Sequence, residues 1–332
     1  MPKVLVVSLG TISDTIYTIP LLYVLKRAEC DIHVLTSEKG YELINRNPLV
    51  SRVHLVPMEQ WSKKMPYWGI FEDLKTVIKK IKKQNFDIVI DCERSLRSLF
   101  LVMFSGAKRR LSYSNASHFS SIGANEILSS QEGMHKLDIN LNYAKHLGYD
   151  VSNAEFMLPE KNYNSKVKMD KFLSFSEEKP MLVLCPNYSE TEFSWSPKNW
   201  INFVCNISEN YNVVIVGTQK DNVLAQKMAH KNLINLCGKV NIDDLRYVFS
   251  LADKVISDKL EYSLLAWANK TSNIVHISTS FSPNLDAPFG YGCNVINMVG
   301  DLSCQPCNSS RCKNGTYKCV HVPFVEDLLK VL

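Results

Sequence analysis

Short apolar runs alternate with helical periodicities along the first half of the chain. Lys3 to Val7, Asp31 to Leu35, Val53 to Val56 and Asp87 to Asp91 are β-rich and bounded by polar residues, the pattern of buried strands. Between them, Asp14 to Ala28, Phe71 to Lys83 and Ser95 to Phe104 return apolar residues every three or four positions, which gives each of three helices an apolar stripe. Parallel strands joined by helical crossovers follow. Asn153 to Lys179 then turns polar and lysine-rich, and a linker is expected there. Beyond it the same grammar resumes, with strands at Met181 to Cys185, Asn212 to Val216, Lys254 to Ser257 and Asn273 to His276 and helices near Asn199, Gln219, Ile242 and Leu260. A short terminal helix is expected over Val322 to Val331. The expected fold class is α/β, with two Rossmann-like doubly wound domains over residues 1–155 and 156–332. Two such sheets facing each other imply a cleft, and open α/β sheets bind ligands beyond the carboxyl ends of their strands.

Composition narrows this picture. The chain has 332 residues, 45% hydrophobic and 21% charged, enough for about two domains with real cores. Its longest apolar runs are far below the roughly 18 residues of a membrane span. The apolar start is followed directly by Ser8, Thr11, Ser13 and Asp14 rather than by a cleavage-site pattern, so the cytoplasm is the expected compartment. A net charge of +5 with scattered basic residues gives no nucleic-acid footprint. The basic clusters are Lys79, Lys80, Lys82, Lys83 and Lys108 to Arg110. The run near residue 80 reads first as a solvated helix face, with attraction to an anionic acceptor or a membrane surface as the alternative. Six of the ten cysteines, such as Cys185 and Cys205, are dispersed singly and read as reduced core thiols. The other four, Cys304, Cys307, Cys312 and Cys319, form C-x2-C-x4-C-x6-C. That crowding suits four thiolates around one structural zinc or iron ion with no position left for catalysis. Two local disulfides or four free thiols are the alternatives.

The opening KVLVVSLGTISDTIYTIPLLYVLKR, with Asp14, Thr18 and Pro20, resembles the start of glycosyltransferase family 9, the bacterial heptosyltransferases. FDIVIDCERSLRSLFLVMFSGAKRR, NLCGKVNIDDL and ADKVISDK, with Asp258 near its end, are similar to later family segments, and the terminal CQPC fits many relatives. The resemblance implies a GT-B enzyme without a catalytic cofactor. It would move a heptose from ADP-heptose, with inversion, onto lipopolysaccharide core or a related glycan. Its expected partners are a nucleotide-sugar donor and a glycan or glycolipid acceptor, with peripheral contact to the inner membrane and no span. A non-catalytic scaffold, another nucleotide sugar or a protein acceptor are the alternatives.

An inverting transfer needs a base for the acceptor hydroxyl and positive surroundings for the departing diphosphate. Asp14, after a strand and the Gly10 loop, is the expected base, with helix capping as its plain structural role. Ser13, and Glu93, Arg94 and Arg97 after the strand that ends at Asp91, are expected on the acceptor side; for the last three a helix N-terminal turn with surface charges is the alternative. Asp258, Trp195, Gly217, Gly238 and Ser282 are expected on the donor side. Here the chain departs from the family, because Phe193 stands where relatives carry a lysine and Lys259 to Ser263 replace the usual residues after the aspartate. Lys259 is the expected substitute cation, at a helix start that already favours phosphate; a solvent-exposed lysine is the alternative. His135 has a resemblance-based claim to function, ahead of the helix that ends at Leu147-Gly148.

Overall fold

A computed structural model describes the chain except for residues 64–67, 115–119, 130, 132, 176–177, 189–192 and 310. It divides into two compact units, Met1–Glu160 and Lys161–Leu332.

In the first unit, strands β1 (Lys3–Ser8), β2 (Asp31–Thr36), β3 (Arg52–Leu55), β4 (Ile88–Asp91), β5 (Arg109–Tyr113) and β6 (Glu126–Leu128) form one sheet in the order β3-β2-β1-β4-β5-β6. All neighbours are parallel. The crossovers run through α1 (Ile12–Arg27), α2 (Glu38–Ile44), α3 (Met58–Lys63), α4 (Trp68–Lys82) and α5 (Leu96–Met103), with α6 (Lys136–His146) after β6. β1 and β4 are buried almost throughout, as central parallel strands covered on both faces must be.

The second unit repeats the design. Helix α7 (Tyr163–Phe172) precedes β7 (Met181–Cys185), α8 (Pro197–Ile207), β8 (Asn212–Ile215), α9 (Asn222–Lys227), β9 (Leu233–Asn235) and α10 (Ile242–Leu251). Then follow β10 (Lys254–Ser257), α11 (Leu260–Ala268), β11 (Asn273–Ser278), α12 (Pro283–Asp286), β12 (Asn294–Val299) and α13 (Val325–Leu329). The parallel sheet is ordered β12-β11-β10-β7-β8-β9. Its core gathers Trp195, Trp200 and Phe203 against Leu184, Ile215 and Ile256.

In both sheets the chain starts near the middle, winds to one edge, returns and winds to the other. The reversal lies between β1 and β4 in the first unit and between β7 and β10 in the second. Register aligns Val7 with Asp91 and Cys185 with Ser257, so the loops leaving each strand pair start level and open a crevice there.

Strands β5, β6, β9 and β12 and helices α2, α3, α7 and α12 lie outside the sequence expectation. β6, β9 and β12 are half-exposed along most of their length, and β5 opens on two arginines, so none shows a long apolar run. α7 lies inside the expected linker; it buries only Ser165 and Met169, which leaves its sequence polar. Asn162 caps it, accepting the Asn164 N–H at 3.0 Å, where an asparagine is favoured.

Candidate functional site

At the β1/β4 crevice, Asp14 occupies the third position of α1 and closes a capping box with Thr11. Its Oδ2 accepts the Thr11 backbone N–H and hydroxyl, each at 2.8 Å, and the Thr11 hydroxyl accepts the Asp14 N–H at 3.2 Å. The capping role therefore exists, and it uses one carboxylate oxygen. The opposite wall is Glu93, two residues past β4: Oε2 accepts the Leu9 N–H at 3.0 Å and Oε1 the Ser95 hydroxyl at 3.2 Å. Gly10 makes this arrangement fit. A Cβ there would lie 2.3 Å from Asp14 Oδ2 and 3.2 Å from Glu93 Oε2, so two carboxylates converge on a position where only hydrogen is tolerated.

Behind them, Asp91 is fully buried. Burial pushes its carboxyl up to about 6, against the opposing pull of bonds from the Arg94 N–H and from Ser98 and Ser112. The Arg94 N–H reaches Asp91 Oδ1 at 3.0 Å, and Arg94 holds φ +55°, a left-handed conformation uncommon outside glycine. Asp91 thus fixes the turn that presents Glu93 and Arg94. Ser13 lies half-buried in the first turn of α1. Arg97 belongs to α5, and its side chain lies outside the described residues. His135 caps α6, its Nδ1 accepting the Leu137 N–H at 3.1 Å, and its ring meets Tyr17 edge-on at 5.9 Å.

At the β7/β10 crevice, Asp258 leaves β10 almost buried. Its Oδ1 accepts the Asn187 N–H and its Oδ2 the Trp195 N–H, both at 2.7 Å. One carboxylate therefore clamps both ends of the loop after β7, and burial pushes its carboxyl up to about 7 despite those bonds. Lys259 precedes α11. Its ammonium sits 3.7 Å from Asp221 Oδ2 with the side chain 21% exposed, and 5.0 Å from the centre of the Tyr262 ring. The solvent-exposed alternative is thereby corrected.

Asp221 is the site residue that sequence reading missed. It is 1% exposed and accepts the Thr218 N–H at 2.6 Å, the Thr218 hydroxyl at 2.7 Å and the Tyr188 N–H at 2.8 Å. Gly217 and Gly238 build the surrounding loops. A Cβ on Gly217 would lie 2.9 Å from Asp221 Oδ2, and one on Gly238, at φ +72°, 2.1 Å from Gln219 Oε1; the Gly238 N–H donates to the Gly217 carbonyl at 2.9 Å. The signal for Asp221 was the G-T-Q-K-D turn after β8, where a carboxylate four residues past a glycine can fold back on the turn's donors.

One expectation needs correction, and another finds no support. Trp195 is fully buried, its indole N–H donates to the Pro323 carbonyl at 2.7 Å, and it packs edge-on against Trp200 at 5.0 Å. Its ring is core and not a surface for a donor. The four clustered cysteines are free thiols, as is Cys205, which is exposed instead of buried. Among the described residues no group of three or more His, Cys, Asp or Glu side chains is arranged to hold a metal ion. The expected zinc or iron centre thus finds no support among the described residues. Cys319 is buried in a single 3₁₀ turn and Cys304 is exposed, while Cys312 accepts the Tyr317 N–H at 3.4 Å. Ser282 precedes the four-residue α12 and donates its N–H to Asn308 Oδ1 at 2.8 Å.

Two doubly wound units, each opening a polar crevice where its sheet reverses, constitute the GT-B fold of glycosyltransferases. Solved structures similar to this chain share it. The glycosyl transferase family 9 protein from Veillonella parvula DSM 2008 has a TM-score of 0.80 at 17% identity, over 99% of this chain and 95% of that one. E. coli ADP-heptose lps heptosyltransferase II gives 0.75 at 15%, over 99% and 96%. E. coli heptosyltransferase WaaC with ADP-2-deoxy-2-fluoro heptose gives 0.73 at 17%, over 99% of both chains. No curated protein matches the sequence. Residues 74–318 match the model of glycosyltransferase family 9 (heptosyltransferase), and the chain belongs to that family. It is a glycosyltransferase.

Proposed function

We propose that the chain transfers heptose from ADP-heptose, with inversion, to a hydroxyl of lipopolysaccharide core or a related bacterial glycan in the cytoplasm. The observation that carries this reading is the convergence of Asp14 and Glu93 on Gly10 at the β1/β4 crevice in a family 9 chain. Asp14 spends Oδ2 on the capping box, which fixes the carboxylate while Oδ1 takes no hydrogen bond among the described residues. In a single displacement the acceptor oxygen bonds to the anomeric carbon as the bond to the diphosphate breaks. The hydroxyl proton passes to Asp14, and the leaving group departs as the nucleoside diphosphate. Glu93 and Arg94 orient the acceptor, together with Ser13; Arg97 is assigned to the same side. In the second unit Asp258, Gly217, Gly238 and Ser282 shape the donor site, and Lys259 offsets the charge growing on the diphosphate.

Asp14→Asn tests the reading. The amide keeps an oxygen for the cap but cannot take the proton, so turnover should fall about a hundredfold or more while ADP binding by calorimetry is unchanged. A variant that keeps a tenth of wild-type turnover would show that Asp14 is not the base. A different nucleotide sugar is the second reading. It is favoured by the Lys259–Asp221 pair and by Phe193 packing on Tyr317 at 5.3 Å, in the place where relatives carry a lysine. Parallel titrations with ADP and UDP separate the two donors.

A further inference from the structure

The first unit carries a surface patch that sugar transfer leaves unused. Leu96 and Phe100 on α5 and Phe104 just past its end recur every four residues, and they are 61%, 43% and 50% exposed. The two rings stack with planes 3° apart and centroids at 6.4 Å. The interior face of the same helix is fully employed, since Leu99, Leu101 and Val102 are buried. α5 is therefore apolar on two faces, of which one is covered.

Helix α4 borders the uncovered face. Between the two helices lies an open groove of about 620 Å³, floored by Leu74, Ile78, Phe100 and Phe104 and edged by Lys75, Lys79 and Lys82. Lys82 lays its aliphatic stem over Gly106, where a Cβ would meet the lysine Cγ at 3.3 Å, yet the residue as a whole is exposed, the posture of a lysine that covers apolar surface and keeps its charge in water. Lys80, Lys83 and Lys108 are exposed nearby in sequence. The acids of α4 do little to cancel them: Glu72 is held by Lys75 at 2.7 Å, and Asp73 accepts the Trp61 indole N–H at 3.2 Å.

We infer that this patch docks the enzyme on an anionic lipid bilayer, with Phe100 and Phe104 entering the boundary between headgroups and acyl chains and the lysines facing anionic headgroups. An apolar strip rimmed by cations is the surface that such a bilayer complements in both hydrophobicity and charge. A protein interface fits less well, because lysine is depleted there. The inference does not depend on which sugar is donated or which acceptor receives it.

Co-sedimentation of the full chain with vesicles tests it. Binding to mixed phosphatidylcholine–phosphatidylglycerol vesicles should be clear and should weaken with salt, whereas phosphatidylcholine alone should retain little. Each lysine near an anionic surface is worth about fivefold in partitioning, so Lys79→Glu with Lys82→Glu should lower binding at least about 25-fold. Phe100→Ser with Phe104→Ser should lower it at least about tenfold. Both double variants alter exposed positions, and their melting temperatures should match the wild type. Equal retention on both vesicle types, retention on neither, or wild-type binding by the variants would overturn the inference. So would a wild-type dimer in light scattering that the phenylalanine variant converts to monomer, since a second copy would then cover the strip.

Discussion

Gly10→Ala perturbs the proposed catalytic centre without removing any functional group. The new Cβ would stand 2.3 Å from Asp14 Oδ2 and 3.2 Å from Glu93 Oε2, and ordinary contact needs about 3.4 Å. The Asp14 carboxylate must yield by about 1 Å. It cannot do so and keep both 2.8 Å bonds to Thr11, so the capping box opens at a cost of about 0.5–2 kcal/mol. A displacement of about 1 Å at a group that must meet the acceptor proton lowers turnover about a hundredfold. The assay pairs nucleoside diphosphate release with thermal melting, and Thr11→Ala is the control. That change removes the hydroxyl half of the cap while leaving Gly10 and Asp14 in place, so it should lose comparable stability and much less turnover. Equal turnover losses in the two variants would mean that the cap matters and carboxylate position does not. Wild-type turnover in Gly10→Ala would refute the assignment of the crevice.

Three further outcomes follow from the same geometry. Asp258→Asn should destabilise the second unit by about 1–3 kcal/mol in urea unfolding, because both carboxylate oxygens accept backbone N–H groups and an amide must point N–H at N–H; unchanged stability would remove the clamp. Lys259→Ala should lower turnover tenfold to roughly a thousandfold with a smaller loss of nucleotide affinity, whereas unaltered turnover would leave the lysine as a structural partner of Asp221 and Tyr262. His276 is 5% exposed and bonded to Ser263 at 2.8 Å, and burial lowers it to about 4 from 6.5. Its stabilisation is therefore complete above pH 6.5 and lost as pH falls toward 4, by about 3 kcal/mol at most. The raised carboxyl of Asp258 slopes the opposite way, costing stability as pH rises from 3.8 toward 7, so the diagnostic quantity is the wild-type curve minus that of His276→Asn. A difference without slope between pH 6.5 and 4 would show that the ring is not held neutral.

The strands that flank each crevice were legible because burial on both faces writes them as unbroken apolar runs, as in KVLVV and FDIVID. The position of Asp14 at the β1/β4 crevice was legible for the same reason: it stands one short loop past such a run. Its neighbour Glu93 was weighed only as an acceptor contact, since its approach to Gly10 depends on β1 lying beside β4, a fact of topology that no local pattern encodes. Trp195 misled because an aromatic before Ser196-Pro197 suits either a ligand or a core, and only the depth of the indole decides. The metal reading of the four clustered cysteines rested on spacing alone, which limits reach and does not aim thiols.

The proposed donor side was the least readable, and its geometry explains why the family's pattern could change there. Phe193 does not leave a hole where relatives carry a lysine, because it packs on Tyr317 and ties the loop after β7 to the cysteine segment. Positive charge at the β10 turn comes instead from Lys259, held between Asp221 and the Tyr262 ring. If Lys259 meets the diphosphate as proposed, it does so as part of a balanced pair, and the nucleotide must compete with Asp221 for the ammonium. Asp221 can release it at modest cost, because the Thr218 N–H and hydroxyl and the Tyr188 N–H still satisfy its carboxylate. Under the proposed assignment, the aspartate at the G-T-Q-K-D turn would hold the cation in place before the donor arrives and set how strongly the diphosphate is bound.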